Sequence, residues 1–325
     1  MGLRWGILGA ASIADSAIIP AIQANSGSTV VSIASRDPDR ASALGKKHGV
    51  QRGETYSKML ASDDVDAVYI PLPVASHLEW IKHALAAGKH VLCEKPLAMN
   101  CDEIRELIVL RDESKLVCAE GMMIIHNPQW KAAMDLVSTG AIGELKRVDG
   151  CFSYYLDDPS SIRNQGKLGG GALRDIGVYP VAATRIVTGL EPTHLECIAT
   201  VNDQFATDTY ADCTVQFPGF ELHFYCSTLM GRRQSMVFHG TKGWFEFSAP
   251  FTSARYRDAE LILRRDIDGE FVVRHFGHTR VQYERMIANF EQAVLAGHAL
   301  AYPLESSLLN QRVIDVALAG GGTLL

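Results

Sequence analysis

Through the first third of the chain, short apolar runs alternate with amphipathic stretches. RWGILGA (4–10) reads as a buried strand. It is followed at 12–24 by a helical pattern with Ile13, Ala17, Ile18, Ala21 and Ile22 on one face, and Pro20 is expected to bend that helix. VVSIAS (30–35) is a second strand. DPDRASALGKKHG (37–49) is a helix with Asp37 as N-cap and Gly49 beyond its end. DAVYIPLP (66–73) is a third strand and SHLEWIKHALAAG (76–88) a helix that Ser76 caps. KHVLCEKP (89–96), CDEIRELIVLRDES (101–114) and LVCAEGM (116–122) continue as strand, helix and strand. Strands separated by helices of this length predict βαβ units and a parallel sheet covered on both faces.

The pattern changes near residue 121. NPQWKAAMDLVSTG (127–140) is a helix. The segments at 145–156, 194–201, 210–217, 220–229 and 243–248 alternate with period two, as half-exposed antiparallel strands do. Helices return at 281–297 and 304–320. The expected fold is α/β: a doubly wound Rossmann sheet over 1–120, then an α+β domain with a large, mostly antiparallel open sheet over 121–325. A ligand is expected in a cleft between them.

Composition narrows the function. The 31 Lys+Arg against 37 Asp+Glu give a net charge of −6, which argues against a nucleic-acid partner. No apolar run reaches the ~18 residues of a membrane span, and the N-terminus enters a strand at once, without the layout of a signal peptide. The seven scattered cysteines form no CxxC pair. The reading is a cytoplasmic chain with reduced, buried thiols and no bound metal.

Gly9-Ala10-Ala11-Ser12-Ile13-Ala14 lies between the first strand and first helix, where a dinucleotide-binding loop belongs. Gly9 suits the tight turn, and Ala11 narrows the room for phosphates without forbidding them. Ser12 and Ile13 complete the candidate loop. At the end of the second strand an NAD site usually carries a carboxylate. Ser35 stands there instead, followed by Arg36, whose planar fork suits a 2′-phosphate, with Arg40 one turn further on. This favours NADP over NAD; Asp37 is explained as the helix cap.

Cys93-Glu94-Lys95-Pro96 ends the fourth strand, at the edge of an α/β sheet where ligands bind. A lysine there can hold a carbonyl oxygen and stabilise alkoxide charge. Taken alone, it would be a surface lysine. However, HALAAGKHVLCEKPLAMN (83–100) and GGGALRDIGVYPVAATRIVTG (169–189) resemble, in the same order, signatures of the glucose–fructose oxidoreductase / inositol dehydrogenase (Gfo/Idh/MocA) family. With GILGAASIA (6–14) and GTKGWFEF (240–247), the resemblance runs along essentially the whole chain, nearest to the dimeric dihydrodiol / D-xylose dehydrogenase branch.

The resemblance implies hydride transfer between a nicotinamide and a carbinol or carbonyl, often of a sugar. It also implies a homodimer or homotetramer formed through the open sheet. Lys95 matches the family's motif lysine, Asp175 its aspartate, and Tyr179 stands where members carry His or Tyr. A tyrosine beside an ammonium is pushed toward phenolate. Tyr179 would then be the general base or acid, with Lys95 tuning it and holding the substrate oxygen, and Asp175 orienting the pair or hydrogen-bonding substrate. The loop of Pro71, Leu72 and Pro73 passes the cofactor, with His77, Glu94 and Arg174 beside it. Arg163 is expected to touch substrate, and its neighbour Asn164 substrate or cofactor.

Met123 and Ile125 are substrate candidates in a segment that departs from the family. There Ile124 replaces an aromatic, Ile125 an arginine and Asn127 a histidine. That leaves room for a less polar alcohol such as a dihydrodiol. Two other functions stay open: a non-catalytic dinucleotide sensor, which should have lost Lys95 or Tyr179, and a glycoside hydrolase that retains its cofactor.

Overall fold

The computed structural model describes residues 2–252, 259–266, 268–276 and 280–324. The chain divides into two compact units. The first holds Met1–Met123 with Arg280–Leu308, and the second Ile124–Thr279 with Leu309–Leu325. The sequence pattern suggested one boundary near residue 120; in the structure the chain also returns to its first unit near its end.

The first unit contains β1 (Arg4–Leu8), α1 (Ile19–Ala24), β2 (Thr29–Ala34), α2 (Pro38–His48), β3 (Arg52–Glu54), α3 (Tyr56–Leu60), β4 (Ala67–Ile70), α4 (His77–Ala86), β5 (His90–Glu94), α5 (Cys101–Ser114) and β6 (Cys118–Gly121). The strands form a parallel sheet in the order β3-β2-β1-β4-β5-β6, as the alternation predicted. Ile70, Val91 and Cys93 of the sheet pack with Ile81, Ala84 and Leu85 of α4 and with Ile104 and Leu107 of α5. Strands buried on both faces are therefore apolar throughout.

Several local expectations change. Ahead of Pro20 the chain makes a π-helical turn over Ala14–Ile18 and then continues as α1. A ring with no N–H breaks the regular ladder, and one wide turn accommodates it. Asp37 caps α2 as expected, accepting from the Asp39 and Arg40 amides. Ser76 makes no side-chain cap; a short 3₁₀ turn leads into α4 instead.

The second unit contains α6 (Pro128–Ser138), β7 (Leu145–Tyr155), α7 (Val178–Thr188), β8 (His194–Asn202), β9 (Thr207–Phe217), β10 (Phe220–Ser227), β11 (Leu229–Gly240), β12 (Gly243–Phe247), β13 (Glu260–Arg265) and β14 (Phe271–His275). The chain then runs through α8 (Arg280–Ala296) in the first unit and α9 (Leu304–Leu318), within which the division falls, to β15 (Gly321–Thr323). The sheet order is β14-β13-β12-β11-β7-β10-β9-β8-β15, antiparallel except where β7 meets β10.

One face of this sheet is apolar: Val148, Phe152, Leu222, Phe224, Met236 and Phe238 are all buried. Gly150 lets α7 approach it closely, since a Cβ there would lie 3.3 Å from Pro180 and 2.8 Å from the Met236 sulfur. The opposite face carries Arg147, Asp149, His223, Tyr225 and Arg233 around a shallow concavity.

The expectation that every cysteine is a thiol is corrected here. Cys197 and Cys213 are directly opposed on β8 and β9 and are joined as a disulfide. Two cysteines in opposed cross-strand positions, with Cα atoms 4.2 Å apart, lie close enough to bond. Cys93, Cys101, Cys118, Cys151 and Cys226 are buried thiols. Among the described residues no helix is long and apolar enough to cross a membrane, and no metal-ligating cluster is found.

Candidate active site

The first unit gathers its candidate residues at the carboxyl ends of β1, β2, β4 and β5. Chain order reverses between β1 and β4 in this sheet, and such a switch point is where open α/β sheets bind ligands. Gly9 has φ +141°, and a Cβ there would press on Leu72 at 3.1 Å and Pro71 at 3.4 Å. A glycine is thus needed both for the turn and for clearance from the Pro71–Pro73 loop. Ala11 donates to the Gly9 carbonyl at 2.9 Å, while Ser12 and Ile13 open the helical run.

The buried Ser35 accepts from the Asp37 amide at 3.1 Å, leaving Arg36 exposed beyond the end of β2. Arg40 reaches across to the loop and donates to the Ala10 carbonyl at 3.0 Å. The Arg40 guanidinium thus stands by the loop, Arg36 follows the end of β2, and no carboxylate occupies the position of Ser35. These residues fit a dinucleotide carrying a 2′-phosphate.

Glu94 ends β5 and Lys95 follows it, both half-buried, and the Lys95–Pro96 peptide is cis. His77 is buried between two loops. Its Nε2 faces the Leu72 carbonyl at 2.8 Å, and its Nδ1 faces the carbonyls of Pro96 and Leu97 at 3.1 Å. Burial lowers its pKa, with the Lys95 charge acting in the same direction. It serves as an internal strut that joins the Pro71–Pro73 loop to the Lys95 turn. Tyr69 donates to Glu94 from below.

Glu120, which sequence reasoning missed, accepts from the Leu97 amide at 3.0 Å. Burial pushes its carboxyl up to about 7, with Ser307 and Lys95 opposing the shift.

The second unit builds a separate polar cluster at the start of a helical run. That run makes a π-helical turn over Leu173–Gly177 before α7. Asp208 on β9 accepts from the Leu173 amide at 2.7 Å and fixes where the run begins. The preceding glycines are required by contact. A Cβ on Gly170 would sit 2.5 Å from the Arg163 carbonyl, and one on Gly171 (φ +122°) 2.2 Å from the Asp208 carboxylate. Asp175 accepts from Tyr154 at 2.5 Å and lies 3.2 Å from the Arg163 guanidinium. Tyr179 is buried among Phe152 and Phe251, with ring centroids 5.7 Å and 5.6 Å away. Arg174 is half-buried beside Asp175.

Asn164 proves to be a brace, donating to the carbonyls of Leu156 and Asp158 at 2.9 Å. Asn127 caps α6 by accepting from the Gln129 amide. Met123 and Ile124 are buried and Ile125 half-buried, in a short 3₁₀ turn. Tyr154 and Asp208 carry no local sequence signal, because each acts on residues far along the chain.

Comparison with known proteins decides the family. Residues 3–122 match an oxidoreductase family with an NAD-binding Rossmann fold, and residues 130–246 match the Gfo/Idh/MocA C-terminal domain. The chain belongs to the Gfo/Idh/MocA oxidoreductase family. It is 33% identical to a dTDP-3,4-didehydro-2,6-dideoxy-α-D-glucose 3-reductase from Actinomadura kijaniata, over 98% of this chain and 95% of that one. It is 32% identical to a D-xylose 1-dehydrogenase (NADP+) from Haloferax volcanii, over 96% and 95%. The crystal structure of a 3-ketoreductase from Actinomadura kijaniata with NADP and TDP-benzene superposes with TM-score 0.91 at 30% identity, covering 98% of both chains.

Glu120 gives a pH test. Its native carboxyl holds a proton more tightly than an ordinary glutamic acid at 4.5, so stability falls as pH rises from about 4.5 to about 7. Glu120→Gln keeps an acceptor for Leu97 but cannot ionise. Denaturant melts across that window should show a flatter slope for the variant, which gains on wild type toward the upper end.

Proposed function

We propose that the protein is an NADP-dependent oxidoreductase acting on a sugar carbon that bears a hydroxyl or a carbonyl. The observation that carries this reading is the pairing of Ser35, Arg36 and Arg40 at the dinucleotide loop with near full-length similarity to sugar reductases and dehydrogenases. The solved relative's NADP agrees with that cofactor choice. When bound, the cofactor would give or take the hydride.

The chain's own residues manage the proton and the oxygen. Lys95 would hold the reacting oxygen and stabilise negative charge on it. Tyr179 would move the proton, as base in oxidation or acid in reduction. Asp175, fixed by Tyr154 and Arg163, would orient the substrate hydroxyls. Arg36 would grip the 2′-phosphate, and the loop of Pro71, Leu72 and Pro73 would border the nicotinamide. Retention of both Lys95 and Tyr179 favours an enzyme over a sensor. Sugars lead the substrate candidates; the uncharged Ile124 and Ile125 keep a dihydrodiol in the panel.

A second copy of the chain is the proposed occupant of the open face around Arg147, Asp149, Tyr225 and Arg233. Sedimentation should give a multiple of the 35.5 kDa chain mass; a monomer at micromolar concentration would remove this part of the proposal.

The reaction is tested by NADP reduction against aldoses, keto-sugars and dihydrodiols. Lys95→Met should lose at least about a hundredfold in turnover, within the range for one charge-stabilising donor, while NADPH fluorescence titration stays near wild type. Normal turnover in that variant would reject the role of Lys95. Arg36→Ala should raise Kd for NADP by about tenfold or more, as for a lost charge-assisted contact, and leave NAD nearly unchanged. Equal losses for both cofactors would exclude Arg36 as the reader of the phosphate.

A further inference from the structure

Three alternate residues of β7 meet the helical run of the second unit, one after another. Gly150 lets Pro180 approach, since a Cβ there would lie 3.3 Å from the Pro180 Cβ. Phe152 packs on Tyr179, with ring centroids 5.7 Å apart. Tyr154 donates to Asp175 Oδ2 at 2.5 Å. Alternate residues of a strand point to one face, so the three contacts share a face. Positions two apart on a strand are separated by about 7 Å, and positions four apart on a helix rise by about 6 Å. The step from Phe152 to Tyr154 thus matches the step from Tyr179 to Asp175.

The strand is a firm support. β7 lies inside the nine-stranded sheet, paired with β10 on one side and β11 on the other. Between the two aromatic residues, Ser153 is buried and donates to the Gly231 carbonyl at 2.7 Å. Asp175 is also held through its backbone, its amide donating to the Gly171 carbonyl at 2.9 Å. Arg163 reaches the same carboxylate oxygen as Tyr154, with its Nε at 3.2 Å, but its side chain is 51% exposed. Water screens that contact. Tyr154 is the partner rooted in the sheet. Burial, and then the neighbouring carboxylate, push its ionisation up, so it stays a donor.

We propose that Tyr154 is a positioning residue: with Phe152 it spaces the Asp175 carboxylate from the Tyr179 phenol, so that Asp175 accepts from a substrate hydroxyl beside the reacting carbon. This deepens the function proposed above and rests on Asp175 and Tyr179 facing the substrate. Sugars and dihydrodiols share a vicinal hydroxyl, and the site would demand that feature of either class. An analogue without it offers the carboxylate no donor, and a site built around such a bond rejects it.

The test uses Tyr154→Phe, which removes one oxygen and keeps the ring. Each substrate that wild type turns over is compared with its analogue lacking the hydroxyl beside the reacting carbon, with D-xylose and 2-deoxy-D-xylose as one pair. Tyr154→Phe should lower kcat/KM for the parent by about tenfold, as for a lost hydrogen bond to a charged group, and leave the deoxy analogue nearly unchanged. In an Asp175→Asn background the same change should have little further effect. Circular dichroism and NADPH titration check that each variant is folded and binds cofactor. Equal losses for parent and analogue overturn the inference, as does an undiminished effect in the Asp175→Asn background. A second measurement needs no substrate. Aspartates labelled with ¹³C at Cγ are titrated by NMR, with Asp175 assigned by its loss in Asp175→Asn. Removing a donor raises a carboxyl's midpoint, so Tyr154→Phe should move Asp175 to higher pH, and an unmoved midpoint also overturns the inference. If the midpoint moves but wild type turns over neither sugars nor dihydrodiols, the support of Asp175 stands and the functional reading is what fails.

Discussion

The buried carboxylate of Asp208 bound to the Leu173 amide is the constraint on which the second unit's polar cluster depends. It sets the first residue of the helical run, and so the rotation at which Asp175 and Tyr179 emerge. Everything nearby is cut to fit it. Gly171 is glycine because Asp208 leaves no room for a side chain, and Gly170 because the Arg163 carbonyl is in the way. Gly150 and Gly177 let the run lie close on the sheet. A buried charge of this kind is costly unless it is bonded, and here the bond also fixes a geometry.

The first unit solves the same problem with carbonyls. His77 lies with its ring nitrogens against backbone carbonyls of two loops, donating from one of them as a neutral ring, and Glu120 fastens the residue after Pro96. Lys95 thus rides on a turn held from two directions. Its setting is prepared by residues that need never touch a substrate, which is the usual way precise sites are kept precise.

The fold was largely legible because parallel strands buried on both faces must be apolar, and those runs stand out between helices. Strands lacking that pressure were missed. β3 is a three-residue edge piece, RGE, and β11 begins at Leu229 and runs through Met230, Gly231, Arg232 and Arg233, the last four in solvent. Of the candidate site, Lys95, Asp175 and Tyr179 are singled out by family resemblance, and Ser35 and Arg36 by the chemistry of the 2′ position. Tyr154, Asp208 and Glu120 are not, since their bonds span 21, 35 and 23 residues of sequence. The cross-strand disulfide was hidden for the same reason: spacing alone does not say which strands will be neighbours.

The return of residues 280–308 to the first unit has a consequence for biogenesis. Trp5 on the first strand is fully buried, bonded to Glu291 at 3.0 Å with its ring 5.1 Å from Phe290. Leu304 belongs to the same unit's core. On the ribosome, the part of the first unit around Trp5 must therefore wait, with apolar surface uncovered, until residues 280–308 have been made. Domains usually fold in order of synthesis; here a unit begun at β1 can close only after residues 124–279 have been made.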